Sequence, residues 1–243
     1  MEYDIFLSHL GRTDVVRKFE NLKKLLKKDD PIIIEVGSHY GEDTLRFLES
    51  FRGVNLFCFE PDPRNIEIFK KYVNDSRVKL FEVALSDKKG KASFYQSYQE
   101  YNQSHIPDKY EWIDKEDYIQ NRLNNSGSSS LKKGYPHILQ NKIEVETDRF
   151  DNFYNINNIS EIDLAWIDVQ GAEREVIEGM GSQIKKIKYI FMEYGETLYE
   201  GGMSRKESLA LMNKKGFEEI VEFSSKNPQG DILCKNSELK KIC

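Results

Sequence analysis

The chain is poor in cysteine and proline and has no long apolar run. Its three cysteines, Cys58, Cys234 and Cys243, are an odd number with no Cys-x-x-Cys spacing, which argues against a disulfide framework or a thiolate metal site. Cys58 and Cys234 fall inside apolar, strand-like runs and are read as reduced core thiols. No stretch approaches the roughly 18 apolar residues of a membrane-spanning helix. Met1-Glu2-Tyr3-Asp4 carries no basic leader, and Ile5-Phe6-Leu7 is too short for a secretory core, so the expectation is a cytoplasmic protein without a transmembrane segment. Positive charge is not in excess either. Lys and Arg number 36 against 41 Asp and Glu, a net charge of −5, which disfavours nucleic acid as the partner.

What is present suffices for a core. A chain of 243 residues, 39% hydrophobic and 12% aromatic, suits one α/β-sized domain with insertions. From Asp14 to Lys28, Val15, Phe19, Leu22 and Leu26 recur at helical steps with Leu25 beside them, while Lys23, Lys24, Lys27 and Lys28 lie mostly opposite. That is an amphipathic helix stopped by Pro31, and its apolar stripe offers a homodimer surface. Ile32-Ile33-Ile34-Glu35-Val36 then reads as a strand buried on both faces. The alternation goes on through a helix with Leu45, Leu48 and Phe51, a strand at 55–59, a helix at 63–73 and a strand at 78–85. It resumes with strands at 162–169, 188–194, 217–223 and 231–234 and helices at 172–180 and 205–214. Strand and helix in alternation predict a parallel sheet with covered faces. The link Ser224–Gly230 is too short for a crossover helix, so the last strand is expected to run antiparallel.

Between Leu85 and Ile162 lie 76 residues, where one crossover of roughly 30 would do. The surplus is an insertion, about 90–140. Lys91–Tyr98 reads as an extra hairpin strand, and Tyr95, Tyr98, Tyr101, His105, Tyr110 and Trp112 follow among polar residues, suited to stacking on sugar faces. Asn124-Asn125-Ser126-Gly127-Ser128-Ser129-Ser130 has no apolar period, and its composition predicts a mobile loop.

In open α/β sheets, ligands bind at the carboxyl ends of strands, so the residues just after each strand matter most. The first turn reads Glu35-Val36-Gly37-Ser38-His39-Tyr40-Gly41, followed by Thr44. It lacks the Gly-x-Gly-x-x-Gly of dinucleotide binders and the lysine of a phosphate-binding loop. Glu35 would repel a pyrophosphate and suits a cationic ligand. Glu60, in Phe59-Glu60-Pro61, follows Gly37 by 23 residues and is placed to accept ribose hydroxyls. Ser86 and Asp87 could hold an adenine amino group. Asp168 closes an otherwise apolar strand, and Glu193 closes the next. The predicted mouth collects Glu35, Glu60, Asp87, Asp168 and Glu193 with little positive charge.

These residues carry a resemblance. Glu35-Val36-Gly37 to Thr44, Phe59-Glu60-Pro61, Ala84-Leu85-Ser86-Asp87, Ser128-Ser129-Ser130-Leu131 and, most specifically, Ile162-Asp163-Leu164 to Ile167-Asp168-Val169-Gln170-Gly171-Ala172-Glu173 resemble the FkbM family of S-adenosylmethionine-dependent methyltransferases, over about residues 33 to 195. The resemblance implies a Rossmann-like class I methyltransferase: a mostly parallel seven-stranded sheet with an antiparallel last strand, after an N-terminal helical segment (1–30). It implies methyl transfer to an oxygen, often a sugar hydroxyl, with a small molecule or glycan as partner and the 90–140 insertion on the substrate side. Members usually read Asp-Val-Glu-Gly-Ala-Glu where this chain has Gln170, so no role is carried over to that position.

The cofactor-binding set expected is Glu35, Gly37, Ser38, Tyr40, Thr44, Glu60, Pro61, Ser86, Asp87 and Asp168. A sugar hydroxyl is a poor acid and needs a base or a metal ion. His39, His137 and His105 are candidates for the base, as is Asp168 with Glu193. The last two could instead hold Mg²⁺ as hard oxygen ligands, although no second motif supports a metal. Two rivals stand beside it: an NAD-dependent oxidoreductase, which shares the ribose-binding acid, and a non-catalytic nucleotide-binding module, to which Gln170 points.

Overall fold

A computed structural model of the chain describes residues 15–98, 113–120, 125–157, 159, 161–224 and 229–238. His9, Tyr101, His105, Tyr110, Trp112 and Cys243 lie outside the described residues. The elements are α1 (Val15–Leu26), β1 (Ile32–Val36), α2 (Glu42–Ser50), β2 (Asn55–Phe59), α3 (Pro63–Tyr72), β3 (Val78–Phe81), β4 (Ala84–Leu85), β5 (Gly90–Tyr98), α4 (Lys115–Gln120), β6 (Leu139–Asp148), α5 (Phe150–Asn157), β7 (Ile162–Ile167), α6 (Glu173–Gly179), β8 (Ile187–Gly195), α7 (Arg205–Lys214), β9 (Phe217–Ser224) and β10 (Gln229–Asn236).

The main sheet has seven strands in the order β3-β2-β1-β7-β8-β10-β9. β1 pairs in parallel with β2 and β7, and β10 runs antiparallel between β8 and β9. The strand order therefore reverses at β1 and β7, the place where an open α/β sheet leaves a crevice. Alternate residues feed two cores. Ile33, Leu56, Cys58, Leu164 and Trp166 pack with Leu22, Leu25, Phe47 and Phe51 on one face. Ile34, Val36, Phe57, Phe59, Ala165 and Ile167 pack with Phe150, Phe153, Val176, Ile177 and Met212 on the other. Leu22 and Leu25 of α1 are thus covered within the chain, which removes that part of the apolar stripe as a dimer surface. α1 ends at Leu26, two residues short of the expected Lys28, because Lys27 takes the left-handed conformation that closes helices (φ 51°) before Pro31 is reached.

The expected strand 78–85 is two. β3 stays in the main sheet, while β4 pairs in parallel with β6 in a second sheet ordered β4-β6-β5. β5 and β6 form an antiparallel ribbon from Gly90↔Thr147 to Tyr98↔Leu139. The serine run is not a mobile loop. Ser126 and Ser130 are buried, a 3-10 turn spans Ser126–Ser128, and Tyr95 and Ser130 exchange backbone hydrogen bonds of 2.8 and 3.1 Å. Small side chains let the backbone pack tightly, and composition alone does not register that.

Candidate functional site

Gly37 follows β1 with φ 84°. A Cβ there would lie 1.9 Å from the Asp168 carbonyl oxygen, so only glycine brings the two strand ends this close. The Gly37 and Ser38 amides both donate to the Phe59 carbonyl, at 2.9 and 3.1 Å. Glu35 shares its sheet face with Ile33, Cys58 and Trp166. Its Oε2 accepts from Thr44 Oγ1 (2.6 Å) and Cys58 Sγ (3.4 Å), while Oε1 has no hydrogen-bond partner among the described residues. Burial, with Asp43 nearby, pushes the Glu35 carboxyl well above the ordinary range. Thr44 is buried behind Glu35 and orients it without lining the cavity.

Glu60 closes β2 almost fully buried, at 4% exposure. Its Oε1 accepts from the Asp62 amide (2.9 Å) and Asn65 Nδ2 (3.2 Å), and its Oε2 from the His39 amide (2.8 Å). Burial and the Asp62 carboxylate push its pKa up to about 7. Oε1 is filled by its two donors, and Oε2 keeps lone-pair capacity for one more. The His39 ring is engaged at both nitrogens, Nδ1 with the Glu42 carboxylate (3.0 and 3.1 Å) and Nε2 with Ser126 Oγ (2.7 Å). Burial opposes its charge, but Glu42, Glu60 and Asp62 outweigh that and raise its pKa.

After β7 the backbone passes through two left-handed residues, Gln170 (φ 54°) and Gly171 (φ 97°). A Cβ on Gly171 would sit 2.7 Å from Tyr199 Cβ, so the turn is pressed against that tyrosine. Gln170 Nε2 donates to Asp168 Oδ1 (2.5 Å) and Glu193 Oε2 (2.9 Å), and Gln170 Oε1 accepts from the Tyr199 hydroxyl (3.0 Å). Gln229 Nε2 donates to the other Glu193 oxygen. Asp168 is open to the cavity's solvent but ringed by protein. That enclosure and the Asp231 and Asp43 carboxylates raise its pKa, against the Gln170 amide. Glu193 is raised further by burial and by Asp168. Burial also lifts Glu173, whose Oε1 accepts from the Gly171 amide (3.0 Å), to about 7. Asp168 and Glu193 are therefore bridged by an amide. No group of three or more His, Cys, Asp or Glu side chains among the described residues could hold a metal ion.

These turns wall a cavity of about 530 Å³, within the range of small-molecule sites. It gathers Glu35, Gly37, Ser38, His39, Tyr40, Glu60, Pro61 and Asp168 from the expected set. Ser86 and Asp87 lie off it: the Ser86 amide bonds the Asp148 carbonyl (2.9 Å), and the cavity is reached instead by Ala84 and Leu85, one turn earlier. Glu193 sits one side chain back, behind Gln170. His137 is exposed on the turn 135–138, away from the cavity. Sequence reasoning missed Arg46, Asn65, Tyr118, Gln170 and the whole of Asn125–Ser129, which also line it. Arg64 shows how the insertion is tied down. It grips the buried Asp62 carboxylate (Nη2 to Oδ2, 2.6 Å) and reaches the Ser97 carbonyl (3.1 Å) and Ser129 Oγ (3.3 Å).

A sheet of this order with a polar, acidic cavity at its switch point defines a Rossmann-like small-molecule enzyme of the class I methyltransferase type. A family model for the methyltransferase FkbM domain matches residues 35–219. The 2-O-methyltransferase NoeI of Sinorhizobium fredii is 33% identical over 236 residues, covering 93% of this chain and 88% of that protein. The AMB antimetabolite synthetase AmbE of Pseudomonas aeruginosa is 25% identical over 206 residues, which is 78% of this chain but 10% of AmbE. The crystal structure of methyltransferase FkbM from Methylobacillus flagellatus shares the fold, with a TM-score of 0.50 at 10% identity over 86% of this chain and 44% of that one. The chain belongs to the FkbM methyltransferase family. It is an S-adenosylmethionine-dependent methyltransferase, which sets aside the oxidoreductase and the non-catalytic module.

The cavity suits that cofactor. Glu35 Oε1 and Asp168 Oδ2 have no hydrogen-bond partner among the described residues, and the negative lining matches a sulfonium and an ammonium. Glu60 Oε2 has room for one further donor, such as a ribose hydroxyl, and Leu85, Phe94 and Leu131 form an apolar part of the wall that could take a base. No helix among the described residues is long and apolar enough to cross a membrane.

Proposed function

We propose that the enzyme methylates a hydroxyl oxygen of a sugar or glycan, with Asp168 as general base. The observation that carries this is the Asp168 carboxylate, open to the same cavity as the Gly37 turn, with Oδ1 fixed by Gln170 and Oδ2 without a partner among the described residues. S-adenosylmethionine, when bound, supplies a methyl group activated by its sulfonium. Glu60 orients the ribose, Glu35 faces the cationic end, and Ser38, Tyr40 and Pro61 shape the wall between them. Asp168 takes the proton that the acceptor hydroxyl gives up as its oxygen gains the methyl group. Rate enhancement then comes mainly from holding oxygen and methyl in line while that proton is removed.

Oxygen as the acceptor atom is supported by the relative named a 2-O-methyltransferase. A sugar is supported by the lining itself. Asn125, Ser126, Ser128, Ser129 and Gln170 line it with neutral polar groups, which match a polyhydroxyl better than a charged acceptor. The insertion at 90–140, which brings the first four, is then the substrate-side element. The test is transfer of labelled methyl from S-adenosylmethionine to three panels: methyl glycosides, amines and carboxylic acids. Base-stable label on glycosides is expected, and label confined to amines or carboxylates would refute the assignment.

A further inference from the structure

The sequence offers His39 as a base; its surroundings give it a different task. His39 takes φ 52°, a left-handed conformation that histidine, like asparagine and aspartate, adopts more readily than other side chains. Three separate parts of the chain meet on it. Its amide donates to Glu60 Oε2 (2.8 Å), Nδ1 meets the Glu42 carboxylate (3.0 Å), and Nε2 meets Ser126 Oγ (2.7 Å). Both ring nitrogens are thus committed, and neither is left to take a proton from an acceptor hydroxyl. Ser126 lies 87 residues further along the chain and is buried. It begins the 3-10 turn Ser126–Ser128, which lines the same cavity as the Gly37 turn.

We propose that His39 is a positioning residue that latches the serine turn of the insertion onto the cofactor-binding turn, and so governs how long the cofactor product stays bound. The inference rests on the assignment of this cavity to the cofactor. Further contacts hold the same turn: the Tyr199 hydroxyl donates to the Ser128 carbonyl (3.0 Å), Ser97 Oγ donates to the Asn125 carbonyl, and Ser130 Oγ donates to the Val169 carbonyl (3.2 Å). Of these contacts, only the one from His39 comes from the turn that also binds Glu60. Losing it frees the Gly37 turn from the serine turn, while Arg64 still ties Ser129 to the end of β2 and the contacts above keep the serine turn on β5 and β7.

The experiment is a double-mutant cycle on the full chain with His39→Asn, Ser126→Ala and the pair, using S-adenosylhomocysteine as the probe. Asparagine suits the left-handed backbone, and its shorter side chain does not reach Ser126. Stopped-flow dissociation rates, urea melts and amide hydrogen exchange at 126–130 are read for each protein. Each single variant should speed dissociation by about tenfold, the scale of one hydrogen bond to a chargeable group. The pair should be no faster than either single, and exchange at 126–130 should rise in all three. Dissociation rates unchanged in both singles, or additive effects in the pair, would overturn the latch. Loss of methyl transfer with unaltered dissociation would return His39 to the role of base. If the unmutated protein does not bind S-adenosylhomocysteine, the cavity assignment fails instead.

Discussion

Glu60→Gln separates two claims made for that carboxylate, that it is buried and that it binds ribose. In the folded protein its pKa is pushed up to about 7 from 4.5, chiefly by burial. The folded form therefore keeps its proton while the unfolded chain loses it, between about pH 4.5 and 7. The stability Glu60 contributes is full at the acid end of that window and is lost as the pH climbs through it. A shift of this size, at about 1.4 kcal/mol per unit, corresponds to about 3 kcal/mol as an upper bound. Glutamine does not titrate, so the stability difference between the variant and the native protein should change by up to that amount between pH 5 and pH 8, in the variant's favour at pH 8. Glu173, also near 7, titrates in both proteins and cancels. Urea denaturation at the two pH values measures this. Calorimetric titration with S-adenosylhomocysteine at pH 8 measures the second claim. Glutamine has one acceptor oxygen for the three donors that Glu60 now serves, and loss of a hydrogen bond to a charged group costs about 1.5–3 kcal/mol. Affinity should fall roughly 10- to 100-fold. A dissociation constant within threefold of the native value would refute ribose binding, and an unchanged pH dependence of the stability difference would refute the burial argument.

Three further substitutions probe the rest of the site. Asp168→Asn should lower methyl transfer at saturating S-adenosylmethionine by about 10²-fold or more, as expected for loss of a general base; retention of a tenth of the native rate would exclude the base. Gln170→Glu puts a third carboxylate against Asp168 and Glu193 and should destabilise the fold by about 1–3 kcal/mol, the cost of an unsatisfied buried polar group; the penalty should grow from pH 5 to pH 8 in urea melts, and a pH-independent one would count against direct repulsion. Gly37→Ala drives a Cβ to 1.9 Å from the Asp168 carbonyl oxygen at a positive φ, so thermal melting should show a loss of more than about 2 kcal/mol; native-like melting would mean the strand ends are not held as described.

Most of the fold was legible because its signals are local. The run Ile32–Val36, buried on both faces, and the helix–strand alternation after it fix a parallel sheet whatever the insertion does, and the short link before β10 predicts its direction. The misses have physical causes. Only Glu82 interrupts the run Leu80–Leu85, too weak a signal for a break, and β4 leaves for a second sheet, which depends on a partner strand sixty residues away in sequence. The helix α5 was readable, since Phe150, Phe153 and Tyr154 stand at helical spacing and are all buried, but it follows a long polar segment that reads as loop. Ser126–Ser130 defeats composition outright: its order comes from Tyr95, Ser97, Arg64 and His39, four residues distant in sequence.

The acidic strand ends are where sequence reading went furthest and where geometry changed its meaning. Glu35, Glu60, Asp87, Asp168 and Glu193 could be seen as one negative mouth, yet they do three different things. Glu35 and Glu60 are buried and spend most of their oxygens on Thr44, Cys58, His39, Asp62 and Asn65, which sets their positions before any ligand arrives. Asp87 looks outward. Asp168 and Glu193 would repel one another across the turn, and the amide of Gln170 lies between them, donating one hydrogen to each. A glutamate at 170 could not do this, because it has no hydrogen to give when ionised. The departure from the usual family motif is therefore not a lost function by itself. It leaves one carboxylate, Asp168, open to the cavity, with the second, Glu193, held behind an amide.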